Sequence, residues 1–301
     1  MMHLVLCLAL VSDINPNAGT TGFNFIKVSP TAREAAMGSA AISLSDNAFG
    51  FWYNPSGIAG LKQRQLGVAY ISYVAGIQSG AISFAQPLKG LTWGVGGYYL
   101  NSGLMPRTDE NGTEYGTFGA SYLDLNGAVA LRPLDKLQIG AGLKAIYGGI
   151  DTFWTVGIAA DVGASYDLPL AGLRASLVAR NLGITTRPFI AQREKLPVDL
   201  GLGLGFEPLK GLKLDLEAHQ PLDDNLEVRL GAEAWVHKYV CLRLGLTTAG
   251  SDLKEQGGAD VLAGLSTGLG VRFRQFELDY SFTPMVILDN SHRISFRYSF
   301  I

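Results

Sequence analysis

His292-Arg-Ile-Ser-Phe-Arg-Tyr-Ser-Phe300 separates cleanly by parity. One set is Ile294, Phe296, Tyr298 and Phe300; the other is Arg293, Ser295, Arg297 and Ser299. A period of two with an aromatic face and a charged face is the mark of a β-strand between two different environments. The pattern recurs along most of the chain. Together with the aromatic C-terminus, it points to a closed outer-membrane barrel with lipid outside and a polar lumen inside.

Bulk composition agrees. Charged residues make up 17% of the 301, and glycine supplies 38 of them. Low charge and abundant glycine suit a wall that another backbone approaches closely. The net charge of -2 offers nothing to nucleic acid. No apolar run reaches the length of a transmembrane helix.

Residues 1–18 read as a signal peptide of atypical form, with an apolar run at Leu4–Val11 and no Lys or Arg before it. The competing reading is a short buried strand. Removal of Cys7 with that segment leaves Cys241 alone, so no internal disulfide is expected.

Four similar turns punctuate the strands: Pro87–Leu91, Pro133–Leu137, Pro169–Leu173 and Pro208–Leu212. Tighter turns follow at His237-Lys238 and Arg274-Gln275. Between them lie longer polar segments at 101–117, 148–154, 183–196, 221–225, 249–259 and 284–291. Short turns on one side and long loops on the other predict an all-β, fourteen-stranded antiparallel transmembrane barrel over 66–301. An even count puts both chain ends on the short-turn, periplasmic side.

The two faces are sharply divided in the second half. Leu214, Leu216, Leu230, Leu242, Leu244, Leu269 and Leu278 share the outward parity with no charge among them. Lys213, Glu217, Arg229, Glu233, Arg243, Arg272 and Glu277 share the inward one. Turn lengths then place Glu217 across from Arg229, Lys213 from Glu233, Glu233 from Arg243, and Arg272 from Glu277. Such opposite-charge pairs form a structural ladder in the lumen. In strands three to eight the inward positions are small instead, among them Gly94, Gly96, Gly140, Gly142, Gly201, Gly203 and Gly205.

Residues 19–65 do not alternate and are the expected occupant of that space, a partly helical hatch. Ser29-Pro30 opens a short helix that Gly38 ends. Trp52-Tyr-Asn-Pro-Ser-Gly57 then leads through a tight turn toward the first strand.

Arg33-Glu-Ala-Ala-Met37-Gly38, then Asp46-Asn, then Asn54-Pro55-Ser-Gly57-Ile-Ala resembles the N-terminal motif of the PorV/PorQ family, part of the wider group of FadL-like barrels. The resemblance implies an outer-membrane protein with an N-terminal hatch. It also implies work with type IX secretion, with secretion components or secreted cargo as partners beside the outer-membrane lipid. Two other classes stand beside it: a FadL-like channel for small hydrophobic solutes, and a structural surface barrel. A solute channel should show an apolar pocket in the extracellular loops. Loop 101–117, with Met105 and Tyr115 among Thr, Asp, Glu and Asn, is not greasy.

No enzyme chemistry is legible. His3, His219, His237 and His292 do not group with one another or with cysteine, so neither a metal nor a cofactor is expected. Gly201-x-Gly203-x-Gly205 looks like a nucleotide fingerprint, but it alternates as a strand with no helix after it.

Overall fold

The computed structural model describes residues 15–44, 46–249, 263–285 and 290–301. Most of the leading apolar segment, Ser45, most of loop 249–259 and part of loop 284–291 lie outside the described residues.

Alternation becomes fourteen antiparallel strands: β1 Gln65–Ser72, β2 Gln78–Leu88, β3 Leu91–Thr108, β4 Glu114–Leu134, β5 Leu137–Ile150, β6 Phe153–Asp167 and β7 Leu173–Arg187 in the first half. The second half holds β8 Asp199–Leu209, β9 Leu212–Pro221, β10 Glu227–His237, β11 Val240–Thr247, β12 Leu265–Phe273, β13 Phe276–Pro284 and β14 Asn290–Ser299. Each strand pairs with its sequence neighbours, and β1 pairs with β14, so the sheet closes with no free edge. His292–Ser299 of the opening nonapeptide lies in β14, with Phe296 opposite Val68 and Arg297 opposite Gly67.

The outward parity is exposed and apolar. Leu143 is 72% exposed, Leu202 62% and Leu244 64%, whereas Glu233 and Arg243 are each 1% exposed on the inner face. In water that surface would be strongly unfavourable; against lipid tails it is the expected one. Aromatic rings gather near the short-turn ends. Phe84 packs on Trp93 and Phe300 (centroids 5.5 and 6.3 Å), Phe276 on Tyr298 (5.0 Å), and Tyr239 on Phe273 (6.2 Å). Such a girdle belongs at a membrane–water interface.

The barrel has uneven height. β3 and β4 run 18 and 21 residues, whereas β9 to β14 run 8 to 11. About 9–11 residues cross a bilayer, so β3 and β4 rise above it as a wall. Most of the expected loop 101–117 is therefore strand. Its polar composition reads as loop, but a strand standing above the membrane needs no apolar face.

The N-terminal segment occupies the lumen. Phe51, Ile58, Ala32 and Ala36 are fully buried there. Its helix, α1 (Ala32–Ala36), starts later than Ser29 predicts. Thr31 is the N-cap residue without a side-chain cap bond, and the Ala32 N–H is met by Ser295 Oγ of β14 at 2.7 Å. The wall satisfies an end that the segment's own side chains leave open.

Small inward residues admit the segment, but over more of the wall than strands three to eight. A Cβ on Gly140 (β5) would lie 2.4 Å from the Pro55 carbonyl carbon. One on Gly245 (β11) would lie 1.8 Å from Gly38 N, and Gly38 itself sits at φ +67°. The second contact lies in the half of the barrel whose charged residues masked the pattern.

The start of the described N-terminal segment differs from the expected topology, whereas the C-terminal end agrees with it. Gln65 and Ser299 do meet at the short-turn side. The described N-terminus lies at the opposite mouth. Thr21 bridges Lys195, the Gly22 N–H donates to the Lys195 carbonyl (2.9 Å), and Lys27 pairs with Asp223 (2.6 Å). Residues 195 and 223 belong to the long connections after β7 and β9. Strand parity decides only where the barrel begins and ends. The segment before β1 descends the full lumen from the long-loop mouth to the short-turn mouth.

Candidate functional site

The lumen is split by chemistry. Against β1–β6 the filling is aromatic. Phe25 lies 5.6 Å from Tyr98 and 5.2 Å from Tyr122, Trp52 lies 6.3 Å from Tyr98, and Phe51 lies 5.4 Å from Trp52 (ring centroids). The Trp52 indole N–H is satisfied by Ser83 Oγ at 2.7 Å, as a buried indole requires.

Against β10–β14 the filling is ionic. Arg33 of α1 donates from Nε and Nη2 to the two Glu233 oxygens (2.7 and 3.1 Å) and from Nη1 to Asp46 (2.8 Å). Arg243 holds the same Glu233 (2.8 Å) and reaches Asp279 (2.7 Å). Glu277 takes Arg272 (2.7 Å) and Arg297 (2.6 Å). Lys213 completes the group on Asp46. The cations Arg33, Lys213, Arg243, Arg272 and Arg297 thus face the carboxylates Glu34, Asp46, Glu233, Glu277 and Asp279. Glu233 and Arg243 are its most buried members, where losing a partner costs most.

The ladder's backbone register matches the turn-length argument: Arg229 opposite Glu217, Glu233 opposite Lys213 and Arg243, Arg272 opposite Glu277. Its side chains choose differently at two rungs. Arg229 binds Glu227 on its own strand (2.7 Å), and Glu217 binds His219 (2.8 Å) and the Ile42 N–H (2.5 Å). Lys213 turns to Asp46 instead of Glu233. In both cases the N-terminal segment supplied a partner that strand pairing alone does not contain.

The residues of the N-terminal motif make contacts within the segment or with the wall. Asn54 is fully buried. Its Oδ1 accepts from the Ser56 N–H (3.0 Å), and its Nδ2 donates to the Ile42 carbonyl (2.9 Å). Pro55 begins a 3-10 turn, Pro55–Gly60, in which the Gly57 N–H donates to the Asn54 carbonyl (2.9 Å). Met37 packs on Gly231, and the Gly38 N–H donates to Ser266 Oγ (2.9 Å).

Three spaces surround this filling. The short-turn mouth is a polar vestibule of about 980 Å³ that Arg33, Asp46 and Lys213 line. Under residues 26–29 lies a polar chamber of about 280 Å³. The third is an apolar cleft of about 390 Å³ at the long-loop end, lined by Phe118, Ile150, Phe153, Phe189 and Ile190, with the Arg107–Asp151 ion pair (2.6 Å) at its edge. Ile150 shares the inward parity of the buried Ile146 and lies opposite Phe153 and Ala120. The cleft therefore lies on the lumen side of the tall wall. Sequence reading missed it because its lining comes from four separate elements, none of them greasy alone. Among the described residues no group of His, Cys, Asp and Glu is arranged to hold a metal.

No protein-family model and no characterised protein sequence matches the chain. Solved structures do. The toluene transporter TbuX of Ralstonia pickettii superposes with a TM-score of 0.66 at 12% identity, covering 94% of this chain and all of that one. The CymD monoaromatic hydrocarbon channel gives 0.65 at 14%, covering 91% and 98%. A Pseudomonas aeruginosa FadL homologue gives 0.59 at 11%, covering 96% and 99%. This chain has the fold of the FadL-like outer-membrane barrels, over nearly its whole length.

Proposed function

We propose that the chain is a bacterial outer-membrane barrel that takes up small hydrophobic solutes at the cell surface, with residues 19–65 as its hatch. The observation that carries this reading is the apolar cleft of Phe118, Ile150, Phe153, Phe189 and Ile190 at the long-loop end. It faces inward, at the same end as the aromatic filling of Tyr122, Phe25 and Tyr98. An uncharged ring compound gains free energy in such a cleft at about 25 cal/mol per Å² buried. The toluene transporter and the monoaromatic channel that share the fold support the same solute class.

The secretion reading rests on the N-terminal motif. Arg33, Asp46 and Asn54 commit their side chains to Glu233, Lys213, Ser56 and Ile42. That supports a hatch, with these side chains engaged inside the barrel.

The test is uptake of radiolabelled toluene at low concentration by cells expressing the chain. Phe153→Asp should reduce uptake to the empty-vector level while the barrel still folds. Equal uptake with and without the chain would reject the reading.

A further inference from the structure

The polar chamber beneath residues 26–29 is distinct from the apolar cleft, and its cations are matched with one exception. Lys27 meets Asp223 at 2.6 Å, Lys144 meets Asp161 at 2.8 Å, Arg180 meets Asp199 at 2.5 Å, and Arg229 meets Glu227 at 2.7 Å. Arg293 of β14 has no carboxylate within 4.0 Å among the described residues, although it is only 6% exposed.

Its guanidinium is held only loosely. Nε donates to the Ser29 carbonyl and Nη1 to Thr283 Oγ1, both at 3.3 Å, and the Tyr73 ring centroid lies 6.0 Å away. Both bonds are longer than the usual 2.9–3.0 Å. Among the described residues nothing accepts from Nη2, and Arg293, Ser29, Tyr73 and Thr283 all line the chamber. Register places Ile71 and Ser281 beside it, neither of them a counter-charge.

A buried cation without a charged partner is unfavourable. The edge of a guanidinium is shaped to take two oxygens of one planar anion. We propose that Arg293 and this chamber form a binding site for a compact oxyanion, a carboxylate or a phosphate. The volume of about 280 Å³ admits a group of that size. The site stands whether or not the apolar cleft takes up hydrocarbons.

The test uses the full chain purified in detergent, unfolded by heat in acetate, phosphate or benzoate against sodium chloride of equal ionic strength. A ligand that binds the folded state raises the melting temperature with concentration. At least one oxyanion should do so by a few degrees. Phosphate alone would name an inorganic ligand, acetate and benzoate together an organic acid, and benzoate alone an aromatic acid. Arg293→Met should weaken the effect at least tenfold. Thr283→Leu, which keeps the charge but fills the space beside Nη1, should weaken it similarly and decides the matter if the first variant does not fold. No shift with any of the three anions overturns the proposal, as does an undiminished shift in Arg293→Met or, where that variant does not fold, in Thr283→Leu.

Discussion

Arg33 Nε lies 2.7 Å from Glu233 Oε2, so a five-residue helix inside the lumen is tied to a strand 200 positions later. Glu233 is shared, because Arg243 also donates to it at 2.8 Å. The two ends of the contact are therefore unequal. Arg33→Ala leaves Glu233 with Arg243 and should cost about 1–3 kcal/mol. Glu233→Ala removes charge-assisted bonds from two buried guanidinium groups at once, leaving Arg33 only Asp46 and Arg243 only Asp279 as close carboxylates, and should cost about 3–5 kcal/mol. Thermal unfolding in detergent checks the order; equal losses, or a larger loss from Arg33→Ala, would contradict the shared-anchor geometry.

Close approach predicts a second asymmetry. A methyl on Gly245 would lie 1.8 Å from Gly38 N, whereas one on Gly127 would meet nothing within 4 Å. Gly245→Ala should expel α1 from the wall and raise single-channel conductance in planar bilayers. Gly127→Ala should leave conductance unchanged and stability within about 0.5 kcal/mol. If Gly245→Ala is as silent as Gly127→Ala, backbone contact is not what seats the segment.

The barrel was legible because its two faces meet different solvents along every strand. The clean outward set Leu214, Leu216, Leu242 and Leu244 has no other explanation in a chain this long. Register was legible as far as turn length sets it: Phe273 faces Phe276 across a two-residue turn, which brings Arg272 to Glu277. Side-chain choice was not, wherever a third body intervened. Glu217 turned from Arg229 to His219 and the Ile42 N–H, and Lys213 turned to Asp46. The apolar cleft was invisible for a related reason. Phe118, Ile150, Phe153 and Phe189 come together only once the tall wall is built.

Acid should loosen the short-turn anchor. Asp46 is half exposed at that mouth. Desolvation opposes its charge, but Arg33 and Lys213 outweigh it and hold the carboxyl well below the ordinary aspartate range. A lowered folded value means the stabilisation is complete above the unfolded value of about 4. It is lost as pH falls through the folded value. Wild type should therefore lose melting temperature between pH 5 and strongly acid conditions faster than Asp46→Asn, which lacks this titration. Parallel curves for the two proteins would remove Asp46 as the acid-sensitive contact.

The opposite mouth depends on one carboxylate. Asp223 is 4% exposed and accepts from both Lys27 (2.6 Å) and the Thr21 hydroxyl. Together with the Gly22–Lys195 backbone bond, it lays residues 21–27 across the polar chamber. Asp223→Asn keeps the shape but removes the charge that both donors point at. A charge-assisted bond is worth about 1.5–3 kcal/mol. Lys27 is about one-third exposed, so screening reduces this toward about 1 kcal/mol, or roughly fivefold in the opening equilibrium. Amide exchange at residues 22–28 should quicken by about that factor while exchange in β9 stays unchanged. An equal rise in β9 would mean that the substitution loosens the barrel itself. No rise at residues 22–28 would mean that the Gly22–Lys195 bond holds the strap without Asp223.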